Sequence, residues 1–471
     1  MKALILSMLV LTIAFFSNAQ NVTIPDTAFL YALIDEGVDT NGDSLISYAE
    51  AEAVTSLDVG GLYICNLDFC GTTGKISNLK GIEAFINLES LSIQANKIDN
   101  LDLSMNRDLT YLDCHMSQLD SLDVSDNIAL SHLDCGYNGL TSLDVSDNIA
   151  LSYLSCCYNQ KLTSLDLSKN NALSYLDCSF IHILTSLDIT NCTALTVLNC
   201  RDNQLTSLDI SDCTALIKLY CSNNRLTSLN VSDYTALSHL SCVRNYLTSL
   251  DITNCTALID MRCFENQLTN LDVSDCNALT KLYCSDNQLN SLDVSASTAL
   301  SELNCRNNQL TSLDISDCTA LKSLDCEGNQ LTSLDVSNNT ALQLLYLGDM
   351  PTLYKVCVWE MPFPPGGVRV YIAGSPNVQF NTDCVVNIPN AYKENNTINI
   401  YPNPSDDLIN IEIENINNVT IEIYNVSGNL IFSKTLNSKV EKIDISGLSM
   451  GMYFVKVRQE NNIKVEKLIV F

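Results

Sequence analysis

Twenty-one cysteines, four histidines and 54 carboxylates are the residues of this 471-residue chain with the widest capacity for chemistry. Eleven of the cysteines (Cys114, Cys135, Cys156, Cys178, Cys200, Cys221, Cys242, Cys263, Cys284, Cys305 and Cys326) recur every 21 residues, with two intervals of 22. Regular cysteines suit a disulfide framework, a thiolate metal site, or a core that uses the thiol as a small apolar group. Parallel, in-register side chains rarely reach the disulfide dihedral. No histidine partners fall at ligand spacing. Ile93 and Leu347 fill the same slot, 21 residues before the first and after the last. The column therefore reads as core. Disulfides are expected outside it, Cys65 with Cys70 and Cys357 with Cys384, while Cys157, next to Cys156, should point outward as a free thiol. The acidic residues outnumber the 25 basic ones and give a net charge of −29, which opposes general binding to nucleic acid or anionic lipid. Most acidic residues repeat with the array, whereas an active site should be a local exception. With no nucleophile motif and no Gly-rich phosphate loop, an enzyme is not expected.

The elements that must position these residues follow from the period. Each cysteine sits in one frame, as in Leu195-x-x-Leu198-x-Cys200-x-x-Asn203-x-Leu205. The rest of each repeat, such as Leu205-Thr-Ser-Leu208-Asp-Ile210-Ser-Asp-Cys213, has the same apolar slots at its first, fourth and sixth positions. A coil is thus two similar half-turns of 10 and 11 residues, each with the alternation of a short strand. Stacked coils bury their Leu, Val, Ile and Cys against one another. The ninth-position Asn is expected to turn inward and satisfy backbone groups at the bend, where a buried orphan costs ~1–3 kcal/mol. A strand is read in both halves.

The frame L-x-x-L-x-L-x-x-N-x-L, with Cys in its third apolar slot, resembles the leucine-rich repeat family over residues 76–350. The resemblance implies a leucine-rich repeat solenoid of 21-residue coils, built mostly of short parallel β-strands and turns. Near the N-terminus, Asp39-Thr-Asn41-Gly-Asp43-Ser44-Leu45-Ile46-Ser47-Tyr-Ala-Glu50 resembles an EF-hand or dockerin calcium loop. That resemblance implies Ca2+ held by Asp39, Asn41, Asp43, the Leu45 carbonyl, Ser47 and Glu50, as a structural cap on the array. Ser44 departs from it, standing where the family prefers Gly. Val54-Thr-Ser-Leu57-Asp-Val59 reads as a second-half unit abutting this loop, and residues 60–87 as degenerate coils.

The chain divides as follows. Residues 1–19 have the basic start, apolar run and small-residue end of a signal peptide. Residues 20–56 form a helix and the calcium-loop cap, and 57–347 the solenoid. Residues 348–384, rich in Pro and Gly, should form an irregular C-terminal cap. Residues 385–396 are a linker. Residues 397–471 hold seven short alternating runs that read as a small β-sandwich. This last region resembles the sorting domain of type IX secretion substrates, on Tyr401-Pro402-Asn403-Pro404, on Gly451-x-Tyr453-x-Val455, and on Lys464 and Lys467 before the apolar end. The resemblance implies export by that machinery to the outer surface or the medium. No segment reads as a transmembrane helix.

Repeats compared within the chain separate two faces. Second-half outward positions scarcely change, as in Thr206, Ser207, Asp209 and Ser211. First-half positions vary: the third runs through Tyr111, His132, Tyr153, Tyr175, Lys218 and His239, and the fifth includes Tyr220, Arg262 and Tyr283. An aromatic cluster of Tyr111, Tyr137, Tyr153, Tyr158 and Tyr175 suits recognition. The leading expectation is a non-catalytic binding or adhesion protein whose variable face takes protein or glycan. The alternative is a surface-layer or lattice-binding protein using the uniform Thr/Asp face, and an extracellular hydrolase is a distant third.

Overall fold

Three inward side chains close every coil. Leu195, Leu198 and Cys200 are fully buried, and so are their counterparts Leu216, Leu219 and Cys221 one coil on. Apolar burial at ~25 cal/mol per Å2 is thus repeated from coil to coil. The computed structural model describes residues 20–61, 63–65, 70–72, 74–383, 398–401, 407–413, 419–425, 430–435, 438–459 and 462–470. The expected signal peptide and linker lie outside these. Two units result, residues 1–383 and 384–471.

In the first unit, three-residue strands stack in register into one 15-stranded parallel sheet. Leu198 pairs with Leu176 on one side and Leu219 on the other, and the register runs from Ser56–Asp58 to Arg369–Tyr371. Within a strand the middle residue is buried and its neighbours half-exposed, as in Tyr111–Asp113. The third and fifth positions of every coil therefore share one outer face.

The expected Asn role holds and forms a ladder that is unbroken from Asn203 to Asn329. Asn245 Nδ2 donates to the carbonyls of Cys242, at 3.0 Å, and Cys221, at 3.1 Å, while its Oδ1 accepts from Leu226 N at 3.0 Å. Asn224 and Asn266 do the same one coil either way. The second-half column differs. There Asn148 Nδ2 donates to Val124 O and Asn127 O, but the Oδ1 atoms of Asn106, Asn127, Asn148, Asn170 and Asn339 have no partner. This site needs only a donor. Cys255 S–H supplies it to Val231 O at 3.1 Å, and Tyr234 O–H to Ile210 O.

Second-half strands are sparse. Leu165–Asp166 pairs with Leu187–Asp188, and Ser333–Asp335 with Lys355–Cys357; elsewhere single bridges such as Asp272 with Asp293 remain. The Asp of each second half accepts the amide two residues on, Asp209 from Ser211 at 3.0 Å and Asp293 from Ser295 at 2.9 Å, whether or not a strand forms there.

The ends differ from expectation in three places. Leu57 pairs with Leu91 of the main sheet, so the Val54 unit is a first-half unit. Residues 60–87 are one lengthened coil that contains the hairpin Tyr63–Cys65 with Cys70–Thr72. Residues 348–384 are not an irregular cap. Lys355–Cys357, Arg369–Tyr371 and Gln379–Asn381 continue both ladders. Each ladder rung needs only three residues, and Pro351, Pro362, Pro364, Pro365 and Pro376 all fall in the connections. The N-terminal end is covered by α1 (Thr27–Asp35), with Phe29 and Leu33 fully buried. Its N-cap Asp26 also accepts from Ser77 N, at 2.8 Å, and Asn78 N, at 3.0 Å, which fastens the helix to the first coil.

The second unit has two antiparallel sheets. One joins Ile398–Tyr401, Leu408–Ile413 and Val440–Asp444; the other joins Leu430–Thr435, Val419–Asn425, Gly451–Gln459 and Asn462–Val470. Their inward residues, including Ile409, Ile421, Ile443, Val455 and Leu468, make one core. All seven expected strands are present.

Candidate functional site

The variable face is the outer side of the 15-stranded sheet, and stacking organises it. Because adjacent strands lie at about 4.8 Å, flat side chains in one column meet face to face. Tyr111, His132, Tyr153 and Tyr175 form one run, with ring centroids 4.4, 4.0 and 4.4 Å apart. A second run joins Tyr137, Tyr158 and Phe180 at 4.2 and 4.4 Å, and Arg201 lies over Phe180 at 4.7 Å. Its rings sit at the eighth position, where each coil turns through a left-handed residue (φ 55° at Tyr137, 58° at Tyr158, 56° at Phe180). The turn swings the eighth side chain beside the strand face. The sequence reading had the two tyrosines but missed Phe180 and the column itself. The signal available was the residue two after each column Cys. Burial raises the Tyr153 and Tyr175 phenols, and it pushes Tyr137 up to about 12 with help from Tyr158.

Farther along, the face changes character. Arg262 pairs with Asp260 at 2.9 Å and lies 5.2 Å from the Tyr283 ring centroid. Lys281 pairs with Glu302 at 2.9 Å, Arg244 with Glu265 at 2.7 Å, and Arg306 with Glu327. Lys218, Tyr220 and His239 stand half-buried on the neighbouring strands. All nine sequence-chosen face residues are thus on one sheet. They split into an uncharged stack (Tyr111, His132, Tyr153, Tyr175) and a mixed-charge region where many cations already have partners.

The opposite face is polar and regular. Asp102, Asp123, Asp144, Asp166, Asp209, Asp251, Asp272, Asp293 and Asp314 each sit below their ordinary 3.8, held there by the amide and hydroxyl of the Ser or Thr two residues on. A depressed folded-state value contributes stability that is complete above the unfolded pKa and lost as pH falls below it. The melting temperature should therefore hold at mildly acidic pH and drop once pH passes below about 4. A melting temperature that climbs on acidification would mean that repulsion down the column outweighs these hydrogen bonds.

The cysteine reading holds for the column, and Cys157 is the expected free thiol but buried rather than exposed. Seventeen described cysteines are free and all are buried, Cys157 among them. Burial raises every column thiol, Cys242 and Cys284 to about 12, and lifts Cys157 to about 12 as well. Cys157 lies outside the inner core, its Sγ 3.8 Å from Ser155 Oγ, and is buried on the strand face where Gly136 of the preceding coil leaves room for it. Thiolate is the reactive form, so native protein should take up no iodoacetamide at these seventeen positions. Mass spectrometry should find them modified only after unfolding. Cys357 is disulfide-bonded; its expected partner Cys384 lies outside the described residues. The hairpin register puts Cys65 opposite Cys70.

The expected calcium loop is built from its own hydrogen bonds. Asp39 accepts from Gly42 N, at 2.8 Å, and Ser44 N, at 2.9 Å; Asn41 accepts from Asp43 N, and Asp43 from Leu45 N. Ser44 takes φ 64° without being glycine. Glu50 accepts from Ser47 N and Oγ and from Thr40 N and Oγ1, each at 2.9 Å, which closes a capping box on α2 (Tyr48–Glu52) and holds its carboxyl at about 2. Asp39, Asp43 and Glu50 do not bring three ligand oxygens within 4.8 Å of one another. The donor spacing is present, but Glu50 is committed to the turn.

In the second unit, Gly451 opens a strand, and Tyr453 is buried with its hydroxyl on Ser449 O at 2.9 Å. Lys464 and Lys467 share the last strand. Pro402, Asn403 and Pro404 lie outside the described residues.

A parallel sheet built of stacked 21-residue coils, followed by a separate antiparallel unit, is the architecture of a leucine-rich repeat solenoid with a small β tail. Comparison with known proteins agrees. Residues 193–234 and 298–350 match leucine-rich repeats, and residues 399–471 match the secretion system C-terminal sorting domain. Among solved structures, the chain is similar to the functional domain of InlJ from Listeria monocytogenes, described as including a cysteine ladder: 27% identity, TM-score 0.61, over 96% of this chain and 98% of that one. An internalin (inlF) from Listeria monocytogenes shares the fold at 21% identity and TM-score 0.51, over 78% and 98%. So does YopM, a leucine-rich effector of Yersinia pestis, at 23% and 0.50, over 68% and 88%. An endo-acting ulvan lyase from Formosa agariphila is 34% identical over 74 residues, which span 16% of this chain and only 14% of that enzyme. The sorting domain supports secretion to the outer surface or beyond. Among the described residues, no helix is long and apolar enough to cross a membrane.

Proposed function

We propose that this protein is a non-catalytic binding protein of the cell exterior that recognises a protein partner through the stacked-ring end of its strand face. The observation that carries the reading is the four-ring run from Tyr111 to Tyr175. Rings stacked on one another have used their faces, so they offer edges and hydroxyls to a partner. A sugar ring is held by packing on an open aromatic face, whereas protein side chains and backbone carbonyls accept edges and phenols readily. This favours protein over glycan. Half-buried tyrosines held by their neighbours also lose little entropy on binding. The likeness to InlJ supports the solenoid that presents this face.

The uniform face supports a lattice-binding role less well, because its carboxylates are already engaged by their own hydroxyl residues. Screening the full chain against arrays of extracellular proteins and glycans tests the reading. Binding to a protein that is lost on Tyr153→Glu supports it, and binding lost only on changes in the Asp209–Asp251 column removes it.

A calcium ion in the 39–50 loop belongs to the proposal as a structural cap, resting on the donor spacing alone. Calcium at a hundredfold excess over its Kd should add about 2.7 kcal/mol and raise the melting temperature, an effect cancelled by chelator and by Asp43→Ala. Melting indifferent to chelator would leave the cap to Glu50 and the buried face of α1.

A further inference from the structure

We propose that Asp113, His115 and Asp134 form a binding site for a divalent transition-metal ion of the zinc type, at the end of the strand face beside the ring stack. One ligand atom from each lies within 4.8 Å of the other two, and all three residues are half-buried. The fold produces this convergence. Asp113 and Asp134 are in-register partners on adjacent strands, and His115 folds back so that Nδ1 lies 2.6 Å from Asp113 Oδ1.

Two features mark the place as different from the downstream part of the face. The first is charge compensation. Downstream, Asp260, Glu265, Glu302 and Glu327 each face an arginine or lysine of the chain itself. Among the described residues, no lysine or arginine pairs with Asp113 or Asp134; the one ion pair there is to His115. The second is space. The seventh position next to His115 is Gly136, whose backbone does not require glycine. An added Cβ there would meet Asp134 Oδ1 at 3.3 Å and Cys157 Sγ at 3.0 Å. Gly136 thus puts no side chain over the Asp134 carboxylate, and the Cys157 Sγ lies against the same space.

An imidazole nitrogen with two carboxylates is a borderline donor set, suited to zinc or its neighbours rather than to calcium or magnesium. Zinc bonds of about 2.0–2.2 Å place tetrahedral ligands roughly 3.4 Å apart, so small side-chain rotations complete the site. Binding replaces the His115–Asp113 hydrogen bond with two metal bonds and leaves one position open to solvent on the face itself. A partner's histidine or carboxylate could occupy it. The site stands independently of the partner reading and is testable without a partner.

The test is calorimetric titration of the full chain with Zn2+ in excess Ca2+, paired with Co2+ absorption spectra. One equivalent should bind to the wild-type chain. His115→Gln and Asp134→Asn should each weaken it about tenfold or more with melting temperature unchanged. Asp177→Asn, on the same face outside the cluster, should leave affinity intact. Co2+ should give visible ligand-field bands that disappear in His115→Gln. Absence of binding, affinity unchanged by both ligand variants, or a thiolate-to-cobalt band that reports cysteine ligation would overturn the proposal.

Discussion

Asn245→Ala should destabilise the solenoid by about 3 kcal/mol and change how it unfolds. Asn245 bridges two coils through Cys221 O and Cys242 O and supplies the acceptor for Leu226 N. Alanine leaves that buried N–H without its side-chain acceptor and removes one of two donors from each carbonyl, since Asn224 and Asn266 retain theirs. An orphaned buried group costs about 1–3 kcal/mol, and the lost volume adds to it. A stacked array is stable through nearest-neighbour contacts, so weakening one junction should split the single urea transition, with the two flanks unfolding separately. The two Asn columns provide an internal control. Asn148 uses only its donor, and Asn148→Cys should cost much less than Asn245→Cys, because a thiol donates but cannot accept from Leu226 N. Equal losses at the two sites would show that volume, not hydrogen bonding, sets the cost.

The combined change Tyr153→Glu with Tyr175→Glu should weaken partner binding by at least about a hundredfold, roughly 2.7 kcal/mol, as expected for removal of buried aromatic anchors. Two rings of the four-ring run disappear, and the new carboxylates stand near Asp134 and Asp177, whose charges already raise both phenols. The fold should be unaffected, because Leu154 and Leu176 carry the inward packing of those strands. Surface-binding measurements with the full chain, wild type against variant, read the effect at fixed ionic strength. Tyr153→Phe with Tyr175→Phe separates the causes: retained affinity assigns the contact to ring edges, and lost affinity assigns it to the hydroxyls. Affinity indifferent to both pairs would move recognition off this face.

Much of this was legible in the sequence because a repeat states each rule many times. Leu195, Leu198 and Cys200 recur with fixed spacing, so the coil, its inward face and the core role of the cysteines follow from periodicity. The recurring Asn demanded a buried partner, and the contrast between varied and uniform positions located the two faces. The seven alternating runs after residue 397 likewise named their strands. Where a rule is broken once, the chain is less explicit. The prolines after Leu347 look like the end of the array, yet the ladders run on to Asn381, because a three-residue rung tolerates any connection that keeps register. Val54 to Val59 fits either half of a coil, and only pairing with Leu91 decides which. Cys157 alternates to the strand face, yet its neighbours bury it there because Gly136 leaves room for its Sγ.

What the tertiary structure alone decided is which side chains from different coils meet. The left-handed turn at the eighth position sets Tyr137, Tyr158 and Phe180 beside the strand face, a placement set by backbone dihedrals that no apolar period records. Asp113, His115 and Asp134 converge because their strands are adjacent and in register and because His115 folds toward its own neighbour. Periodicity carries what every coil shares, since each must bury the same face against the next. Sites arise from the exceptions, and the distances between exceptions exist only once the coils are stacked.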